Sequence, residues 1–149
     1  RQLAEAAPTL KVSAVACPLF VSLAEEGWTD GDIAKAVAAR YLEPLKTGPD
    51  TLILGCTHYP LLASAIAAAL PGVKLVDSAS STAKAVAQTL ADHALLSDEA
   101  SGTSRFLVTD NKDRFIEVGT RFLGAPPLPT ELIDLDDKDQ AAWATEASA

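Results

Sequence analysis

Cys56, Thr57 and His58 follow one another directly after Gly55 and just before Tyr59-Pro60. A thiol, a hydroxyl and an imidazole within three residues form a group equipped for proton transfer. A cysteine near a helix N-terminus has its thiolate stabilised by the positive end of the helix dipole. His58, two residues on, can exchange protons with that thiol or with a substrate. The hydroxyl and backbone N–H of Thr57 suit a bound carboxylate. Gly55 lets a ligand or another backbone approach closely. From spacing alone, a buried structural cysteine beside a surface histidine that caps the helix is an equal alternative.

These residues need a strand to deliver them and a helix to follow. The run Thr51-Leu52-Ile53-Leu54, bounded by Pro49-Asp50 and Gly55, reads as a central parallel strand. Leu61 to Leu70 reads as a helix stopped by Pro71-Gly72. Upstream, Arg1 to Ala7 looks like the end of a helix and Lys11 to Ala16 like a buried strand. Helices follow over Leu19 to Glu26, closed by Gly27, and from Asp30 to Tyr41. Downstream, strands are expected at Lys74 to Val76, Arg105 to Thr109 and Leu132 to Leu135, with helices at Ser81 to Leu95 and Asp113 to Phe122. Strand and helix alternate with short connections, which predicts an α/β fold with a mostly parallel sheet. Ligands of such sheets bind at the carboxyl ends of the strands, where Cys56 falls.

Composition removes other classes. The chain has 149 residues, 48% hydrophobic, enough for a buried core. A net charge of −8 opposes a phosphate backbone, so nucleic acid is not an expected partner. Two cysteines cannot build a disulfide framework or a four-ligand zinc site, and no metal is expected. No apolar run is long enough to cross a bilayer and no signal peptide is legible, so a soluble cytoplasmic protein without a membrane partner is the expectation. Residues 136–149 read as an acidic, disordered tail. The sequence begins at Arg1 and contains no methionine, from which we expect residues upstream.

The run Leu54-Gly55-Cys56-Thr57-His58-Tyr59-Pro60-Leu61-Leu62 closely resembles the second catalytic-cysteine motif of bacterial glutamate racemases. Ala16-Cys17-Pro18-Leu19-Phe20-Val21, Glu25-Glu26-Gly27, Tyr41-Leu42 with Pro44-Leu45, Val76-Asp77-Ser78-Ala79 and Thr109-Asp110 agree in order, from about Ala14 to Gly124. The resemblance implies a two-domain aspartate/glutamate racemase-like fold. It implies a cofactor-independent enzyme that interconverts L-glutamate and D-glutamate, supplying the D-enantiomer for peptidoglycan. Two cysteines then face opposite sides of the α-carbon and exchange its proton. Matched residue by residue, Cys56 is the second acid/base cysteine, Thr57 and His58 contact substrate, and His58 also assists Cys56. Glu25 is similar to a family glutamate that polarises the histidine, with Glu26 equally eligible by chemistry.

The family's aspartate-serine-glycine motif and its first cysteine, followed by asparagine and threonine, do not occur in this sequence. The resemblance therefore places residues 1–77 in most of the second domain and 78–135 in a segment returning to an incomplete first domain. The chain alone is expected to be inactive and to leave apolar surface uncovered. A homodimer is an expectation for the full-length protein. Cys17 precedes Pro18 and Leu19 and reads as a structural thiol; pairing it with Cys56 across one substrate is the self-contained alternative. Other readings are a racemase for aspartate or another amino acid, and a non-catalytic binding module.

Overall fold

The structure, a computed structural model, describes residues 9–97 and 102–134. The chain divides into two compact units, Arg1–Leu95 and Leu96–Ala149.

In the first unit, the first helix among the described residues is α1, Leu19–Glu26, in which Phe20, Leu23 and Ala24 fall on one buried face. It ends at Gly27, whose φ of 77° is left-handed; the Gly27 and Trp28 N–H groups donate to the carbonyls of Ala24 and Leu23. A residue with a Cβ is strained there, so glycine fixes where α1 stops, two residues after Glu25. Helix α2, Gly31–Leu42, starts where the Asp30 carboxylate accepts from the Gly31 N–H at 2.8 Å. Ala34, Ala38 and Leu42 recur every four residues and are buried. A single 3-10 turn, Glu43–Leu45, leads on to strand β1, Thr51–Leu54.

After β1 come the site residues, a 3-10 turn at Tyr59–Leu62 and helix α3, Ala63–Ala69. Helix α3 packs on α2, with small side chains at Ala34, Ala38 and Ala65 fully buried. Strand β2, Lys74–Asp77, pairs parallel with β1 in the register Thr51↔Lys74 to Leu54↔Asp77. Helix α4, Ser78–Asp92, follows at once, its N-terminus held by the Asp77 carboxylate, which accepts from the Ser80 N–H at 2.7 Å. The core is centred on Phe20, Leu62 and Ile66, each at most 1% exposed. Burying such a side chain contributes about 1.5–3 kcal/mol.

In the second unit, strands β3, Phe106–Val108, and β4, Thr130–Leu132, pair parallel. Arg105 and Glu131 join them by two charge-assisted hydrogen bonds of 2.9 and 2.8 Å. Helix α5, Lys112–Leu123, is capped by the Asn111 side chain, which accepts from the Arg114 N–H, and packs on β4.

The alternating α/β order and the parallel pairing agree with expectation. Lys11 to Ala16, however, forms no strand: Leu10 and Val12 are more than half exposed, and no strand among the described residues takes up the backbone hydrogen bonds. Among the described residues, β1 pairs with β2 alone, where the sequence reading expected a central strand. The helix expected over Leu61 to Leu70 divides into the 3-10 turn and α3. Helix α4 begins three residues before Ser81 because Asp77 caps it. The last strand lies at Thr130–Leu132, ahead of its expected place, and Leu135 lies outside the described residues, as do the helical end expected at Arg1 to Ala7 and the acidic tail. Helix α4 groups with the first unit, whereas the division expected at Asp77 concerns the full-length protein. No helix among the described residues is long and apolar enough to cross a membrane.

Candidate active site

The turn leaving the carboxyl end of β1 carries Cys56, Thr57 and His58. Cys56 is half-buried, and its Sγ lies 3.8 Å from Nδ1 of His58. The Thr57 hydroxyl lies 3.4 Å from the same nitrogen. On the far side of the ring, Nε2 is 3.3 Å from Oε1 of Glu25, in the last turn of α1. Sequence order separates these groups widely; the packing of α1 on the 3-10 turn brings them together.

The geometry sets the division of labour. A carboxylate can only accept, so the Glu25 contact favours the tautomer with its proton on Nε2. The lone pair of Nδ1 then faces the Cys56 thiol and the Thr57 hydroxyl and can take a proton from either. This is the logic of a nucleophile or acid/base thiol served by a base that a third group orients. Of the two carboxylates eligible by chemistry, Glu25 is half-buried and reaches the ring, while Glu26 is exposed.

One expected source of thiolate stabilisation is weaker than the sequence implied. The element after Cys56 is a four-residue 3-10 turn, and α3 begins only at Ala63. So short a turn sums few peptide dipoles and the α-helical end is more than one turn away, which leaves His58 as the polar side chain against the Cys56 thiol. At Gly55, an added Cβ would meet no atom within 4 Å. The fold itself does not demand glycine there, and the space beside the site stays open.

Cys17 belongs to the core. It is 4% exposed, its Sγ lies 3.8 Å from the Val15 carbonyl, and burial pushes its thiol up from the ordinary value. It therefore stays protonated at neutral pH, as a structural thiol does. Both cysteines are free, and no cluster able to hold a metal ion occurs among the described residues.

Residues that the motif reading named without giving them a role lie behind the site. The Tyr59 hydroxyl donates to the Cys17 carbonyl at 3.1 Å, and its ring meets Phe20 edge-on, 5.3 Å between centroids. Tyr41 meets the same Phe20 ring at 5.5 Å, and its hydroxyl accepts from the Leu19 N–H at 3.3 Å. The one signal available in advance is that a tyrosine on an apolar face needs a partner for its hydroxyl.

No family model matches the chain. The glutamate racemase of Geobacter metallireducens is 50% identical to it over 120 residues, 78% of this chain and 44% of that protein. This stretch of chain belongs to the glutamate racemase family. The crystal structure of the glutamate racemase from Francisella tularensis in complex with D-glutamate superposes with a TM-score of 0.81 at 36% identity, covering 91% of this chain and 51% of that one. The Thermus thermophilus glutamate racemase, in complex with beta-chloro-D-alanine, gives 0.76 at 45% identity over 83% of this chain and 48% of that one. The chain thus spans about half the length of the glutamate racemases it matches, and the α/β architecture is theirs.

Proposed function

We propose that Cys56 is one of the two thiols of a glutamate racemase and moves the α-proton of glutamate at one face of the α-carbon. The observation that carries this reading is the chain of contacts from Cys56 through His58 to Glu25 at the carboxyl end of β1, in a chain of this family.

In one direction the Cys56 thiolate removes the α-proton and becomes a thiol, and a second thiol on the opposite face delivers a proton to the carbanion. In the other direction Cys56 is the donor. His58 takes the thiol proton through Nδ1 and so returns Cys56 to the thiolate, while Glu25 stabilises the imidazolium that forms. Thr57 supplies a backbone N–H and a hydroxyl for the substrate carboxylate. The α-hydrogen of an amino acid is very weakly acidic, so donors fixed in advance around the developing charge lower the barrier. Such a reaction moves only protons and asks for no redox or carbonyl cofactor. The partner is then a small molecule, glutamate, with D-glutamate passing to peptidoglycan synthesis in the cytoplasm. The second thiol is expected in the family's upstream cysteine motif, and residues 1–77 and 78–135 are taken as parts of two domains that enclose the substrate. Solvent deuterium exchange at the α-carbon of glutamate, measured in the gene product at its full encoded length with and without Cys56, tests the proposal.

A further inference from the structure

We infer that Tyr59 is a positioning residue that ties the start of α1 to the site turn and so sets the distance between Glu25 and His58. The inference rests on the proton-transfer reading of Cys56, His58 and Glu25 given above. His58 and Tyr59 are consecutive, yet they hold opposite ends of one helix. His58 meets Glu25 in the last turn of α1. Tyr59 donates to the carbonyl of Cys17, two residues before α1 begins, and stacks edge-on against Phe20 in its first turn. Eight residues of helix span about 12 Å, so the two contacts act as separate anchors and together fix both the position and the tilt of α1.

The other tyrosine works on the same spot. Pro18 offers no side-chain cap to α1, and the Tyr41 hydroxyl accepts from the Leu19 N–H instead. Both hydroxyls thus bind the backbone of the turn from Cys17 to Leu19, and both rings flank Phe20, which is 1% exposed. Burial, with Cys17 and Cys56 nearby adding to it, raises the Tyr59 phenol above its ordinary value, so it remains a donor at neutral pH. Without that hydrogen bond the Tyr59 ring can still stack and Tyr41 still holds the Leu19 N–H, but one of the two ties on the start of α1 is lost and its position relaxes. A carboxylate 3.3 Å from its histidine tolerates little of that motion.

The test is a double-mutant cycle on Tyr59→Phe and Glu25→Gln, read as the rate of Cys56 alkylation by iodoacetamide at pH 7. Mass spectrometry assigns the modified thiol, and circular dichroism checks the fold. Tyr59→Phe is expected to slow alkylation of Cys56 about threefold to tenfold with the fold intact, and to change nothing further when Glu25→Gln is already present. Equal slowing in both backgrounds overturns the inference, since Tyr59 then acts on Cys56 by another route. No slowing by Tyr59→Phe, or none by Glu25→Gln, overturns it as well. Because alkylation needs no turnover, these outcomes are independent of whether the full-length protein racemises glutamate: loss of the racemase reading alone leaves the cycle intact.

Discussion

The carboxylate of Glu25 lies 3.3 Å from Nε2 of His58, on the side of the ring opposite Cys56. In the proposed mechanism that contact gives the turn a direction for proton transfer, because it favours the tautomer whose Nδ1 lone pair faces the thiol. It also separates two adjacent carboxylates that the sequence left equivalent.

Replacing Glu25 by Gln keeps the shape of the side chain and removes its charge. In the gene product at its full encoded length, racemisation is expected to fall about tenfold to a hundredfold, since a charge-assisted hydrogen bond contributes about 1.5–3 kcal/mol. Glu26→Gln is expected to stay within about twofold of the parent, as surface substitutions do. Steady-state rates for the two variants side by side check this, and equal losses would contradict the assignment.

His58→Asn removes the base but retains a polar side chain. General acid/base groups contribute about 10²–10⁴-fold, and a loss in that range is expected in kcat. Cys56 alkylation at neutral pH should slow in the same variant. Unchanged alkylation would show that His58 contacts the thiol without serving it.

Gly55 separates a ligand effect from a fold effect. A Cβ there meets no protein atom within 4 Å, so Gly55→Ala should leave the thermal midpoint within a degree or two of the parent, in line with about 0.5 kcal/mol or less for substitutions that touch nothing. If substrate passes close to this backbone, KM rises. An unchanged KM would remove the close approach from the account.

Phe20 holds the aromatic cluster behind the site. At 1% exposure, and with two edge-on tyrosine partners, Phe20→Ala should destabilise the chain by about 3–5 kcal/mol, the usual range for a buried aromatic. Urea denaturation measures this. A loss under about 1 kcal/mol would mean that the cluster collapses to fill the gap, at odds with its close packing.

Acid should loosen the start of α4. Backbone hydrogen bonding from Ser80 holds the Asp77 carboxyl below its ordinary value. A carboxyl whose folded value is depressed stabilises the fold above its unfolded value and loses that contribution as pH falls through the folded one, below about pH 4. Helical circular dichroism should therefore decline over that range, and less so in Asp77→Ala. Identical acid profiles would show that the cap contributes nothing.

Much of this architecture was legible because its signals are local. Asp30 and Asp77 cap helices, Gly27 ends one, and the apolar run Thr51–Leu54 stands out against its proline and glycine borders. Lys11 to Ala16 carries the same apolar signal yet forms no strand, because a strand is decided by a partner that the run itself does not encode. At the site, residue types and spacing named Cys56, Thr57 and His58. The choice between Glu25 and Glu26 was not legible, since neighbouring helical positions differ by about 100° in direction and only packing says which one faces the turn. The tyrosine contacts to Cys17 and Leu19 were hidden for a similar reason: their partners are backbone atoms, which leave no mark on side-chain identity.

The central claim is that Cys56 carries the α-proton of glutamate. Its most direct test follows the α-hydrogen of L- and D-glutamate by NMR in deuterium oxide, with the gene product at its full encoded length and its Cys56→Ser variant. The parent is expected to exchange and invert both enantiomers, and the variant to lose inversion by at least about a thousandfold, within the range for removing an acid/base group. Two-way racemisation that survives Cys56→Ser at an unchanged rate would contradict the account.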